Sequence, residues 1–169
     1  MACLTERALR GLRAFNDAHP WDHNAHYHPW ILRQLPRRVG VALDAGCGTG
    51  DLARLLAGRA RHVEAVDADP EIVARARALT PAGAAVTFRV GDVLAGAPRD
   101  RYDAVTCVAV LHHLPLTDAL TAFRRCLVPG GTLVVVGLFA PRTFTDHLLG
   151  AVAVPVNAAV GLLRNRGRP

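Results

Sequence analysis

The sequence predicts an α/β domain: a mostly parallel sheet between two layers of helices. Three observations carry this reading. Short apolar, β-prone runs alternate with helix-patterned segments five times between Val39 and Leu138. The first run ends in an acid and a G-x-G-x-G turn, Asp44-Ala45-Gly46-Cys47-Gly48-Thr49-Gly50. The polar residues that stand out later in the chain also fall at strand ends, where such sheets bind ligands.

Taken in order, Ala8, Leu9, Leu12 and Phe15 recur at helical spacing over residues 5–18. An aromatic, histidine-rich stretch follows, and Pro29 is placed to open a short helix over residues 30–35. The first strand is Val39 to Ala45, followed by a helix over residues 49–59. The second strand, His62 to Val66, ends at Asp67. Asp69-Pro70-Glu71 combines an N-cap acid, a first-turn proline and a first-turn acid, so a helix runs from there to Leu79. Pro81-Ala82-Gly83 breaks the chain before a third strand, Ala85 to Val90, which ends in Gly91-Asp92. Tyr102 to Val108 is the fourth strand. A helix over residues 117–127 is expected to stop at Pro129-Gly130-Gly131, and Thr132 to Leu138 is the fifth strand.

At 169 residues, 51% of them hydrophobic, the chain can form one domain with a substantial core. Its mean hydropathy of +0.20 argues against disorder over most of its length. The net charge is +6, and all 20 basic residues are arginine. Arg54, Arg59, Arg61, Arg75, Arg77, Arg124 and Arg125 are scattered over expected solvated helix faces. This reads as compositional bias and disfavours a nucleic-acid partner. Cys3, Cys47, Cys107 and Cys126 form no C-x-x-C pair, so they read as small buried residues in a reducing compartment. With no signal peptide visible, a cytoplasmic location is expected.

The glycine turn alone is ambiguous. Dinucleotide folds favour G-x-G-x-x-G, and here the third glycine comes one residue early, which disfavours a nicotinamide oxidoreductase. Asp67 lies 21 positions past Gly46, where an acid can accept hydrogen bonds from ribose hydroxyls. Its plain alternative is a turn acid or helix cap, but Asp69 is the better cap and would leave Asp67 free. Asp92 in Gly91-Asp92-Val93 has the alternative of an ordinary turn pair.

Asp44, Gly46, Gly48 and Gly50 resemble, in order, the first motif of the class I S-adenosylmethionine-dependent methyltransferases. Tyr102 to Leu114 resembles that family's fourth-strand block, and Leu127 to Leu133 resembles its loop before the fifth strand. The closest resemblance is to the small-molecule branch that includes quinone-biosynthesis enzymes. The resemblance implies a Rossmann-like sandwich with strand order 3-2-1-4-5, and it implies S-adenosylmethionine as cofactor. Asp44, Gly46, Cys47, Gly48 and Gly50 would hold its methionine end, with the following helix N-terminus favouring the carboxylate. Asp67 and Ala68 would meet the ribose. Asp92 and the Val93 backbone would meet the adenine, and Val108 would line the pocket. His112 or His113, at the pocket rim, is the candidate base, because imidazole titrates near neutrality. The alternative is that one packs and the other is solvated.

The fourth-strand block lacks an Asn/Asp-Pro-Pro-aromatic sequence, and the chain has no lysine for a Lys-Asp-Lys-Glu tetrad. Both absences favour a small acceptor, with a hydrophobic one left open. His19, His23, His26 and His28 match no familiar zinc spacing, so no metal is expected. Trp21, Tyr27 and Trp30 suit a lid that excludes water, or ordinary packing. The expected organisation is a helical or lid segment over 1–38, a cofactor core over 39–140 and an apolar helical segment over 141–169. The last carries Leu148 to Leu163, broken by Pro155, which reads as a buried helix or a peripheral membrane contact. The resembling family continues with another helix and an antiparallel strand pair, and the expectation is that this chain is shortened there or that a partner supplies the edge. An uncovered fifth strand would be a route to oligomers. A cofactor-binding partner subunit without its own activity is the rival reading.

Overall fold

The computed structural model describes residues 27–95 and 98–137. The expectations for residues 1–26 and 138–169, including the first helix, His19, Trp21, His23, His26 and the Leu148 to Leu163 segment, lie outside the described residues.

The elements run α1 (His28–Gln34), β1 (Val39–Ala45), α2 (Asp51–Ala57), β2 (Ala60–Asp67), α3 (Pro70–Ala78), β3 (Val86–Val90), β4 (Tyr102–Val108), a 3-10 turn (Leu111–His113), α4 (Leu116–Cys126) and β5 (Leu127–Val136). The five strands form one sheet in the order 3-2-1-4-5, as expected. Every strand pair is parallel. The chain therefore leaves β1 in one direction through β2 and β3, and in the other through β4 and β5. All five C-terminal ends share one edge of the sheet, and the reversal falls between β1 and β4.

Alternation along the central strands splits the core in two. Ala42, Val63, Ala65, Phe88 and Ala104 face Ile31, Leu52, Leu56, Val73 and Ala76 of α1, α2 and α3. Leu43, Ala45, Val66, Val105 and Cys107 pack with Ala119, Phe123 and Cys126 of α4. Those three α4 residues lie at i, i+4 and i+7, the stripe of an amphipathic helix. Burying Phe123 alone contributes about 1.5–3 kcal/mol.

Local chemistry sets the boundaries. Asp69 caps α3: its Oδ1 accepts from the Glu71 and Ile72 N–H groups at 2.8 and 3.3 Å, and Pro70 follows it. Pro29 lies in the first turn of α1, as the sequence suggests. Asp103 on β4 reaches across to β1, where its Oδ2 accepts from the Val41 N–H at 2.7 Å.

The expected end of α4 needs correction. The helix stops at Cys126, and Leu127 is already extended. The Asp100 and Arg101 N–H groups donate to the Arg125 and Cys126 carbonyls at 3.1 and 2.9 Å. These bonds satisfy helix-end acceptors that would otherwise be orphaned. Pro129-Gly130-Gly131 instead lies inside β5, within a bulge. Tyr102 pairs with Leu127 and Ala104 with Thr132, so two steps on β4 face five on β5.

Two of the arginines expected on solvated faces are partly buried and structural. Arg54 donates to the Thr49 carbonyl at 2.8 Å, the Thr80 hydroxyl at 3.3 Å and Asp51 at 2.7 Å. Arg59 bonds the Leu32 carbonyl and ties α1 to the segment before β2. Arg61, Arg75, Arg124 and Arg125 are exposed. Arg77 is exposed too, but it donates to the Phe88 carbonyl on the edge strand β3 at 2.6 Å. Among the described residues, no helix is long and apolar enough to cross a membrane.

Candidate functional site

The glycine loop 46–50 is built from its backbone. Gly46, Gly48 and Gly50 all have positive φ, at 76°, 52° and 80°. The Gly46 and Cys47 N–H groups donate to the Val66 carbonyl at 2.8 and 3.0 Å, so the loop folds back onto the end of β2. A Cβ at Gly46 would meet the Val110 side chain at 2.1 Å, and one at Gly50 would meet the Phe88 ring at 2.7 Å. Both glycines are needed for close packing as well as for the turn. Gly48 differs: a Cβ there meets nothing within 4 Å among the described residues. Of those residues, none closes over the middle of the loop.

Beneath the loop lies Asp44, 2% exposed. It and Thr106 are register partners on β1 and β4. The Thr106 hydroxyl lies 2.8 Å from Asp44 Oδ1. Asp44 Oδ2 is buried and, among the described residues, has no hydrogen-bond partner. Burial pushes the Asp44 carboxyl up to about 6; the Thr106 bond opposes this and the Asp67 charge adds to it. Burial, then the Asp44 and Asp67 charges, raise the Cys47 thiol to about 12. Cys47 is thus a neutral packing group, not a thiolate nucleophile. Cys107 rises to about 11 through burial and Asp44.

Asp67 is less free than its position in the sequence suggests. Asp69 is the α3 cap, as expected. Asp67 Oδ2 accepts from the Gly48 N–H at 2.9 Å, and Oδ1 accepts from the Asp69 N–H at 3.1 Å. Each oxygen keeps a second acceptor site, so hydroxyl donors can still approach. Ala68, next in the chain, is exposed. The helix N-terminus expected to receive a ligand carboxylate already carries one. Asp51 opens the seven-residue α2 and accepts from the Thr49 hydroxyl at 2.6 Å and from Arg54.

The remaining candidates ring the same sheet edge. The Gly91 N–H donates to the Asp67 carbonyl at 2.9 Å, which joins the ends of β2 and β3. Asp92 is exposed, and its Oδ1 accepts from the Leu94 N–H at 2.8 Å. Val93 is buried with Leu43, Ala45 and Val66. Val108 is partly buried at the end of β4. His112 and His113 are both exposed on the 3-10 turn, with ring centroids 3.8 Å apart. Neither packs inside, contrary to the alternative of one buried ring. His28 and Tyr27 lie on α1 and its cap, and His28 is buried. Among the described residues, no cluster of His, Cys, Asp or Glu could hold a metal ion.

Three positions carry weight that sequence reasoning missed. Thr106 orients the buried acid; its signal was a polar residue inside the otherwise apolar run Ala104 to Val108. Ala109 takes a positive φ of 55°, and its N–H donates to the Val136 carbonyl at 2.7 Å. Val110 closes against Gly46. Nothing in local sequence marks the last two.

A methyltransferase domain family model matches residues 42–131. An uncharacterized methyltransferase of Mycobacterium tuberculosis is 38% identical over 138 residues, which are 79% of this chain and 70% of that protein. A ubiquinone biosynthesis O-methyltransferase of Xylella fastidiosa is 38% identical over 129 residues, 73% of this chain and 51% of the relative. The YcgJ protein of Bacillus subtilis aligns with a TM-score of 0.66 at 25% identity, over 72% of this chain and 54% of that one. An S-adenosylmethionine-dependent methyltransferase of Mesorhizobium loti aligns at 0.56 with 29% identity, over 63% and 51%. The chain thus spans about half the length of these last three proteins. With its sheet order and its glycine loop over a buried strand-end acid, the chain belongs to the class I S-adenosylmethionine-dependent methyltransferases.

Proposed function

We propose that this protein transfers a methyl group from S-adenosylmethionine to a small acceptor, and that the loop over Asp44 is its donor site. One observation carries the proposal. Among the described residues, a buried acid with an unpartnered oxygen lies under a glycine loop whose middle meets no neighbour. A cationic amino-acid moiety is the ligand chemistry that such an acid suits. The cofactor supplies an already activated methyl group.

The chain's residues then bind, orient and exclude water. Asp44, Gly46, Cys47, Gly48 and Gly50 form the floor beneath the methionine end. Asp67 accepts from ribose hydroxyls through its spare lone pairs, beside Ala68. Asp92 accepts from the adenine amine through the oxygen that Leu94 does not use, with Val93 behind it. Val108 lines the wall. His112 or His113 takes the proton that the acceptor loses, since both rings are exposed at the end of β4. The relatives that act in ubiquinone biosynthesis support a small acceptor, and phenols and quinols are the first to test.

Calorimetry with S-adenosylmethionine and S-adenosylhomocysteine tests the donor site. A folded sample that binds neither at millimolar ligand would sink the proposal. Asp67→Ala should weaken binding by about 1–3 kcal/mol, the cost of a lost charge-assisted hydrogen bond. Methyl release to a phenol or quinol, without added protein, tests the reaction. His113→Ala should then slow turnover and leave cofactor affinity unchanged. If only an added protein restores methyl release, the partner-subunit reading gains.

A further inference from the structure

We propose that Thr106 is a positioning residue whose hydroxyl turns between two acceptors and thereby links cofactor uptake to the loss of one proton from Asp44. This rests on the donor-site reading above and adds to it a proton.

The geometry comes first. Thr106 Oγ1 lies 2.8 Å from Asp44 Oδ1 and 3.3 Å from the Leu43 carbonyl. A threonine hydroxyl has one proton and cannot donate to both. When Asp44 is ionised, that proton points at Oδ1 and the Leu43 contact carries none. When Asp44 is protonated, the acid O–H donates to Thr106 Oγ1 and the hydroxyl proton turns to Leu43. Both contacts then hold a proton, and the heavy atoms need not move. Thr106 is 1% exposed, so no bulk water competes for its bonds.

The unpartnered oxygen points the same way. Left alone, Oδ2 costs far more as half of a carboxylate than as the carbonyl of a neutral acid. Among the described residues no cation compensates. Asp67 at the end of β2 is a like charge, and the Cys47 and Cys107 thiols are raised and neutral. On α2, Arg54 is committed to Asp51 at 2.7 Å. Burial sets the Asp44 carboxyl to about 6, within reach of ordinary pH. A cation entering above the loop reverses the balance and favours the carboxylate. The Asp44 O–H bond then breaks and its proton leaves to solvent. The Thr106 O–H bond stays intact and swings from Leu43 to Asp44.

Two readouts test this. In the cofactor-free protein, infrared difference titration should show a carboxylic-acid carbonyl band lost with a midpoint near pH 6. Asp44→Asn should abolish the band, Thr106→Val should shift its midpoint, and Thr106→Ser should restore the wild-type midpoint. In calorimetry with S-adenosylmethionine near that pH, run in buffers of different ionisation heat, binding should release up to about one proton. Affinity should fall about tenfold per pH unit below the midpoint. Asp44→Asn should remove both effects. A missing band, or binding heats independent of buffer, overturns the proposal. A Thr106→Val profile equal to wild type removes Thr106 from it. If the band titrates but S-adenosylmethionine does not bind, the donor-site reading fails and the linkage falls with it.

Discussion

At the residue scale, Asp44 shows what a buried acid costs. Its carboxyl is raised from 3.8 to about 6 because burial strips its water. The sign follows directly. The folded state binds the proton more tightly than the unfolded chain, so stability from this group is full below about pH 4 and is lost as pH rises through 6. The loss amounts to about 3 kcal/mol. Glu64 acts oppositely. Burial would raise it, but hydrogen bonds from Tyr102, at 2.7 Å, and from Arg101 outweigh that and hold it low. Its contribution is therefore present at neutral pH and fades as pH falls. Denaturant titrations between pH 4 and 7 should show wild type losing ground to Asp44→Asn as pH rises, and equal slopes would refute the assignment. The loop glycines make a second contrast. Gly46→Ala forces a Cβ against Val110 at a positive φ and should cost about 2–5 kcal/mol. Gly48→Ala meets no neighbour among the described residues and should cost about 1 kcal/mol. Similar losses in the two variants, measured by urea denaturation, would contradict this packing.

At the element scale, some boundaries are set by local chemistry and others by bonds from distant segments. The α3 cap is the simplest case. Asp69→Ala removes two acceptor contacts and should cost about 1 kcal/mol. That is a drop in Tm of about 2–4 °C. An unchanged Tm would mean that tertiary packing alone holds the helix start. This cap was legible in the sequence because Asp-Pro-Glu concentrates three start signals in three residues. The end of α4 was not legible. Its stop depends on N–H groups of Asp100 and Arg101, some 25 residues upstream of the helix end. Proline and glycine mark a break, but they do not say whether it ends a helix or bulges a strand. The Arg77 contact on the edge strand β3 was also invisible, since Arg77 reaches the Phe88 carbonyl only once α3 lies beside it.

At the scale of the whole molecule, parallel pairing gathers scattered strand ends onto one edge. Asp44, Asp67, Asp92 and His113 span 70 residues of sequence and share that edge. A ligand bound there contacts several strands at once and should stabilise them together. At a hundredfold excess over its Kd, S-adenosylhomocysteine should add about 2.7 kcal/mol. A thermal-shift assay should register this as a raised Tm in wild type and a smaller rise in Asp67→Ala. No shift in either would argue that the edge is not the binding site.

The sequence by itself determined the fold class, the strand order through its family motifs, and the residues of the glycine loop. Strand alternation, glycine spacing and N-cap chemistry are local, and local patterns survive in a linear text. Only the tertiary structure decided which of those residues are free to act. It tied Asp67 to Gly48, filled the α2 start with Asp51, and exposed both histidines. It also set Thr106 across from Asp44. The Asp67 and Thr106 contacts join a strand end to a loop and one strand to another, and they are set by register and burial. A residue's partners across a sheet are not written beside it in the chain.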